Sequence, residues 1–556
     1  MHDLGAERLQ HTSVMGAATP RHVLGRVNRR RRRETVALAE ARIGRRRRRP
    51  GDAAIPQSEF ESQEALRRAG RFEDAIAHAE RRLRQAPHDT AAWSDLAETL
   101  SAARRPEDAL VAWDRALSLA PQAPDLLCGK GRVLQSLARV DAAKALYRRA
   151  LALEPERYDA AFSLALLAVE AGDWEEAGRW TAPLQARHPD APGLAWLGAR
   201  VALARGDAAA AQGQLAGLSR DPRLGPDQRA DALLMLAEAL DALGRPSEAF
   251  AAAVAGKAIQ RRLFAERAGG REGAVARFER VAAWFRSADP TPWRGPPAAT
   301  PAPGQASAHA FLVGFPRSGT TLLEQALAGH SHVAALEEAP TLAAAHAEFM
   351  SSPEGLARLA HLSPAEAEPW RARYWAEVAA HGVDVSGRLF LDKAPAGTVD
   401  LPLVAKLFPQ ARILFAVRDP RDVTLSCLRN NFQLNAMTYA FTDLQDAAAC
   451  YAACMTLAQI YRAVLPPAWL EVRHETLIGD FEPGLAAICA FLGLEPEPAM
   501  ADVAGTARGR SVRTPSATQV RAGLNQKGLG RWRAYERELA PALPVLDPWV
   551  GRFGYA

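Results

Sequence analysis

Cysteine is scarce in this chain: Cys128, Cys427, Cys450, Cys454 and Cys489 are the only five in 556 residues. So few thiols over such a length exclude a disulfide framework as the source of stability. Cys450 and Cys454 stand one helical turn apart in an alanine-rich stretch and read as core packing. Long apolar runs are also missing. No stretch reaches the ~18 residues that a membrane span needs. Arginine and histidine interrupt every apolar patch before residue 50, so no secretory h-region is expected there and the expected compartment is the cytoplasm. Most of the chain lacks an excess of one charge. The net charge is +6, but residues 1–50 hold fourteen arginines against Asp3, Glu7, Glu34 and Glu40, leaving about −4 for the rest. The folded part is therefore not a basic nucleic-acid binder.

Apolar residues make up 48% and charged residues 24%, as in an ordinary globular protein, and the length calls for more than one domain. Residues 29–33 and 45–49 are two runs of five arginines. Such blocks repel, so residues 1–55 are expected to be a disordered basic tail. Two readings of it stay open: contact with an anionic surface or nucleic acid, and translation that starts further downstream.

From 56 to 262 the chain repeats. Proline recurs at Pro87, Pro121, Pro155 and Pro189, each 34 residues after the last. Alanine keeps the same period at Ala75, Ala109, Ala143, Ala177 and Ala211, and small residues do so at Ala97, Gly131, Ala165 and Ala199. Proline ends a helix because it cannot donate the next backbone bond. Small residues mark where paired helices approach most closely. The period and pattern are those of tetratricopeptide repeats (TPRs). Five units and a degenerate sixth are expected, with an inserted loop at 220–227. The resemblance implies a superhelix whose concave groove takes peptides or partner proteins; a purely scaffolding or dimerising array is the other reading. Residues 263–286 are expected to continue as an amphipathic helix through Phe264, Val275, Phe278, Val281, Ala282 and Phe285. The proline-rich stretch 296–303 then marks a boundary, so 263–308 reads as a connector.

Residues 309–556 alternate short apolar strands with helices, the pattern of a parallel α/β sheet. Strands are expected at 311–313, 389–391, 412–417 and 469–472. The first runs into Gly314-Phe-Pro-Arg-Ser-Gly-Thr-Thr321 and a helix, an arrangement that cradles phosphate with loop amides, hydroxyls and a helix N-terminus. The glycine spacing imitates a Walker A loop, but Thr320 stands where the lysine belongs, which disfavours a nucleoside triphosphatase or kinase. The loop's cation is Arg317.

Pro316-Arg-Ser-Gly-Thr-Thr321 resembles the 5'-phosphosulfate loop of sulfotransferases, which use 3'-phosphoadenylyl sulfate (PAPS). Further on, Arg418 ends a strand and Ser426 follows eight residues later, the spacing with which that family grips the 3'-phosphate. A guanidinium makes paired, charge-assisted bonds to phosphate and a hydroxyl adds another. The pair Glu337-Glu338, Leu391-Asp-Lys-Ala-Pro395, Val472-Arg-His-Glu475, Phe491-Leu-Gly493, Ser516-Ala-Thr-Gln-Val520 and Arg531-Trp532 resemble the tyrosylprotein sulfotransferases over about residues 309–535. The resemblance implies PAPS bound by Arg317, Ser318, Gly319, Thr320, Thr321, Arg418, Ser426, Ser516 and Arg531. Lys393 would stabilise the bridging oxygen, Glu338 would take the acceptor proton, and no metal is required. A phenol has a pKa near ~10 and a free carboxyl near ~4.3, so proton transfer must come late in the reaction. One position departs from the family: where the animal enzymes carry an arginine that reads acidic peptides, this chain has Pro340.

The expected architecture is thus an α TPR superhelix joined to an α/β, P-loop-like sulfotransferase domain at 309–556. The expected activity is PAPS-dependent transfer to an acceptor hydroxyl, protein or peptide tyrosine first, with the TPRs recruiting it. A carbohydrate, lipid or small-molecule acceptor is the alternative, and a non-catalytic TPR protein with a nucleotide-binding domain is a further one. Oligomeric state stays open.

Overall fold

The computed structural model describes residues 63–270, 272–294, 306–510, 520–521, 523–526 and 528–555. The arginine-rich tail, the proline-rich stretch 296–303 and Ser516 lie outside them. Backbone contacts divide the chain into two units, Met1–Arg205 and Gly206–Ala556.

The first unit is a run of helical hairpins. Second helices Phe72–Gln85, Pro106–Leu119, Val140–Leu153 and Trp174–Arg187 each stop two residues before one of the periodic prolines. The Pro87 carbonyl accepts the indole N–H of Trp93 at 2.9 Å, fastening one hairpin's end to the next helix. Ala75, Ala109, Ala143 and Ala177 are fully buried, as are Ala97 and Ala165. The need for small residues is steric: a Cβ on Gly131 would stand 2.6 Å from the Tyr147 ring.

The second unit begins with Ala208–Leu218 and continues with α1 (Pro226–Ala242) and α2 (Pro246–Ala268). The expected inserted loop is present but shorter, because Pro226 opens α1 at its first position. The continuous helix expected over 263–286 is broken. Gly269 leaves helical geometry, Gly270 takes φ +76°, and α3 (Ala274–Ser287) starts afresh. Glycine loses the most backbone entropy in a helix and readily adopts positive φ, which is why the break falls there.

Five strands follow: β1 (Ala308–Gly314), β2 (Val333–Glu337), β3 (Leu389–Lys393), β4 (Arg412–Val417) and β5 (Ala468–Arg473). All pairings are parallel, in the order β2-β3-β1-β4-β5. Strand β2 was not expected, since its Val-Ala-Ala-Leu-Glu sequence has weak β-propensity. Both faces are buried. Phe311, Val313, Phe390, Ile413 and Phe415 join α3 and α6 (Leu444–Val464) in one core. Leu312, Leu389, Leu391 and Leu414 join α4 (Thr320–Ala328) in the other. The alternation continues to the end of β3, so Asp392 and Lys393 face opposite sides of the sheet. With β1 central, β2–β3 on one side and β4–β5 on the other, the crevice at the strands' C-terminal ends is where such folds bind ligands.

Candidate active site

The loop between β1 and α4 depends on two glycines. Gly314 has φ +153°, and a Cβ there would stand 2.5 Å from the Ala416 carbonyl of the neighbouring strand. Gly319 has φ +91°, and a Cβ there would overlap the His474 ring. Arg317, between them, holds a positive φ of +72°, an uncommon geometry for a side-chain-bearing residue. Ser318, Thr320 and Thr321 are buried at the start of α4. The His474 imidazole is pushed down to about 3, first by burial and then by Arg418 and Arg317, so it is neutral. Its Nδ1 is buried with no hydrogen-bond partner among the described residues.

Arg317, Arg418 and Ser426 come together. Arg317 Nε donates to Ser426 Oγ at 3.0 Å on α5 (Pro420–Arg429). Arg418 donates to the Arg317 carbonyl at 3.1 Å and to the Gly528 carbonyl. Burial, with the Arg418 charge adding to it, pushes the Arg317 guanidinium down to about 10. Asp422 lies 3.8 Å from Arg418 and accepts the amides of Gly530 and Trp532 at 2.7 and 2.8 Å. The backbone around Arg531 is therefore tied to α5, while the Arg531 guanidinium pairs with Asp241 of α1.

Glu338 and Lys393 meet on the other side of β1. Lys393 Nζ lies 2.9 Å from Glu338, 3.1 Å from Glu337 and 3.4 Å from Glu324. Register explains part of this, because Glu337 is the β2 partner of Lys393. Lys393 and Glu324 are fully buried and the Glu338 side chain is 46% exposed. Burial would push the Lys393 ammonium down, but the three carboxylates outweigh it and hold it above the ordinary value. Burial pushes Glu324 up, against Lys393 and an Arg510 guanidinium 3.3 Å away. A buried cation is thus held beside a half-exposed carboxylate.

A cavity of about 270 Å³ opens on the Asp392 face of the sheet, lined by Ala339, Pro340, Thr341, Phe311, Asp392 and His346 among others. Asp392 accepts Thr341 Oγ1 at 2.8 Å and Tyr374 OH at 2.7 Å, and burial pushes its carboxyl up to about 6. His346 lies 2.5 Å from Asp400. Sequence reasoning gave no role to Glu324, Arg510, His474, Asp422 or Asp241. Glu324 carried a signal, as a charge among the apolar residues of α4, and His474 lies within Val472-Arg-His-Glu475, a stretch that carried the resemblance but gave it no role.

Among the described residues, His330, His332 and Glu497 have metal-ligand spacing. Both His330 nitrogens are committed, however. Nε2 donates to the Glu495 carbonyl at 2.9 Å and Nδ1 accepts the His332 amide at 3.0 Å. Glu497 accepts the Ser331 amide at 2.8 Å and its hydroxyl at 2.5 Å, which ties the turn at 330–332 to the segment around 495–497.

Residues 310–498 match a family model described as the sulfotransferase family. Two tetratricopeptide repeat models match residues 66–133 and 128–192. An uncharacterized protein of Aquifex aeolicus is 25% identical over 244 residues, 43% of this chain and 32% of that protein. The chain thus spans about a third of that relative's length. Among solved structures, the sulfotransferase domain from the Synechococcus PCC 7002 olefin synthase is similar at 24% identity, over 42% of this chain and 89% of that one, with a TM-score of 0.29. The type IV pilus biogenesis factor PilW is similar at 23% identity over 35% and 89%, with a TM-score of 0.32.

Proposed function

Because this chain carries a sulfotransferase-family domain at residues 310–498 behind tetratricopeptide repeats, we propose that it transfers a sulfuryl group from PAPS to an acceptor hydroxyl, with protein or peptide tyrosine as the acceptor. The observation that carries this reading is the Lys393–Glu338 pair at 2.9 Å, a buried cation beside a carboxylate that reaches solvent.

The residues suit an adenylyl donor with two anionic ends. At one end are the loop, the α4 N-terminus and the buried hydroxyls of Ser318, Thr320 and Thr321. At the other are Arg418, whose Nε is buried without a partner among the described residues, and Ser426. When bound, the donor supplies the sulfuryl group and a phosphate leaving group. Lys393 holds a fixed positive charge at the strand end, in a site where low dielectric magnifies its effect. Glu338 holds the proton that the acceptor hydroxyl gives up. Lys393 Nζ fixes the position of that carboxylate, 2.9 Å away. The repeats recruit the protein that bears the acceptor.

A second reading, a small-molecule hydroxyl, is favoured by one observation. Pro340 and apolar neighbours line the cavity on the Asp392 face of the sheet, where an acidic peptide would call for a cation. The test is sulfate transfer from PAPS to a tyrosine-peptide library and to a panel of phenols, sugars and lipids. Adenosine 3',5'-bisphosphate is expected to raise the melting temperature without Mg²⁺, whereas Mg-ATP is not. No thermal response together with no transfer to any acceptor would sink the reading.

A further inference from the structure

Helix α2 buries Lys257 completely. Its Nζ donates to the Asn430 carbonyl at 2.7 Å and sits 5.6 Å from the centre of the Phe432 ring. Burial pushes this ammonium down to about 8. A charge buried at such cost is kept by a specific partner. Asn430 ends α5, and its Nδ2 donates to Ser426 Oγ at 3.2 Å and to the Ser426 carbonyl at 2.7 Å. Ser426 Oγ also accepts Arg317 Nε at 3.0 Å. A hydroxyl has two lone pairs and one proton. With both lone pairs taken by N–H donors, the Ser426 hydroxyl has only its proton left to offer, and it serves as a donor.

A second set of bonds starts from α1. Asp241 pairs with Arg429 at 2.8 Å, with Arg531 and with the Tyr535 hydroxyl. Burial would push its carboxyl up, but these three partners outweigh it and hold it below the ordinary value. Leu234, Leu240, Ala249 and Ala253 of the same two helices share one buried cluster with Leu425 of α5, Tyr535 and Leu539. The hairpin is built into the α/β domain.

We propose that α1 and α2, at the end of the repeat array, are part of the donor site, with Lys257 and Asp241 as positioning residues that orient the Ser426 hydroxyl and the Arg531 guanidinium toward the donor's 3'-phosphate. Neither residue touches the donor. Lys257 acts through Asn430 and Ser426, and Asp241 acts on Arg531. The inference rests on the PAPS reading above.

The test is calorimetric binding of adenosine 3',5'-bisphosphate and adenosine 5'-phosphate to the full chain. Wild type is expected to prefer the bisphosphate by about a hundredfold, roughly two decades of Kd. Lys257→Met and Asp241→Asn are each expected to cut that preference about tenfold and to leave the 5'-phosphate Kd unchanged. Ser426→Ala added to Lys257→Met is expected to cost nothing further, since both act on one hydroxyl. Asn430→Asp keeps the carbonyl that Lys257 needs but removes the N–H offered to Ser426 Oγ. It is expected to match Lys257→Met, and it serves where Lys257→Met does not fold. If wild type discriminates and the variants keep the full preference, the positioning roles are wrong and the donor reading stands. An equal loss for both nucleotides means a structural role only and also overturns the proposal. If wild type binds neither nucleotide, the donor reading falls, and this inference falls with it.

Discussion

Glu338 is fastened to Lys393 at both ends: its amide donates to the Lys393 carbonyl at 2.8 Å, and its carboxylate accepts the Lys393 ammonium at 2.9 Å. The backbone between these bonds takes φ +48°, a left-handed geometry that costs a non-glycine residue roughly 1–2 kcal/mol. Such strain persists only where the surroundings over-determine it. Here the two bonds to one residue do so, and they hold a carboxylate at the mouth of the sheet.

Replacing Glu338 with Gln removes the proposed proton acceptor and keeps the shape. Turnover is expected to fall by about 10²–10⁴ with little change in melting temperature, because the side chain is 46% exposed. Steady-state kinetics with an acceptor from the panel would measure it, and near wild-type kcat would remove Glu338 from the mechanism.

Lys393→Ala should cost both activity and stability. It takes the ammonium away from Glu324, which is fully buried and keeps only the Arg510 contact at 3.3 Å, and from Glu337. Breaking a buried pair in this way typically costs about 3–5 kcal/mol. Denaturant unfolding reads the loss. Adding Glu324→Gln is expected to recover part of it, and no recovery would mean that the carboxylates are not what Lys393 neutralises.

Gly319→Ala places a Cβ against the His474 ring and forces alanine to φ +91°. The thermal response to adenosine 3',5'-bisphosphate is expected to disappear. His474→Ala in that background frees the space but not the backbone, so the response should return only in part. Full recovery would show that the ring overlap was the whole defect.

The Asp392 carboxyl, pushed up to about 6 by burial, gives stability a defined pH dependence. Its pKa is higher in the folded chain than in the unfolded one, so its contribution is full below about 4 and is lost as pH rises through about 6. Over that window the loss relative to Asp392→Asn is roughly 3 kcal/mol, at 1.36 kcal/mol per pKa unit. The melting temperature of Asp392→Asn should therefore gain on wild type between pH 4 and pH 7. A constant gap would show that Asp392 does not titrate in that window.

Much of the fold was legible because its signals are local. The strand at β1, the turn at Gly314 and Gly319 and the helix from Thr320 depend on neighbouring residues, and the 34-residue proline period needs no distant partner. The break at Gly269 and Gly270 was written in the sequence too, but the apolar periodicity on either side masked it. Strand β2 was missed because its alanines suit a helix as well as a strand. What makes it a strand is pairing with β3, which lies more than fifty residues away.

By itself, the sequence determined a repeat array joined to a parallel α/β domain with a glycine-turned loop after its first strand, since periodicity, turn residues and helix starts act over a few residues. It also placed Arg317, Arg418, Ser426, Glu338 and Lys393 among the residues to watch. Only the tertiary structure decided which charges share a site. Strand register set Glu337 beside Lys393, burial caged that lysine with Glu324, and the hairpin of α1 and α2 brought Asp241 to Arg531. Charges interact through space and in proportion to the water that the fold excludes, and neither quantity is defined until the distant elements have packed.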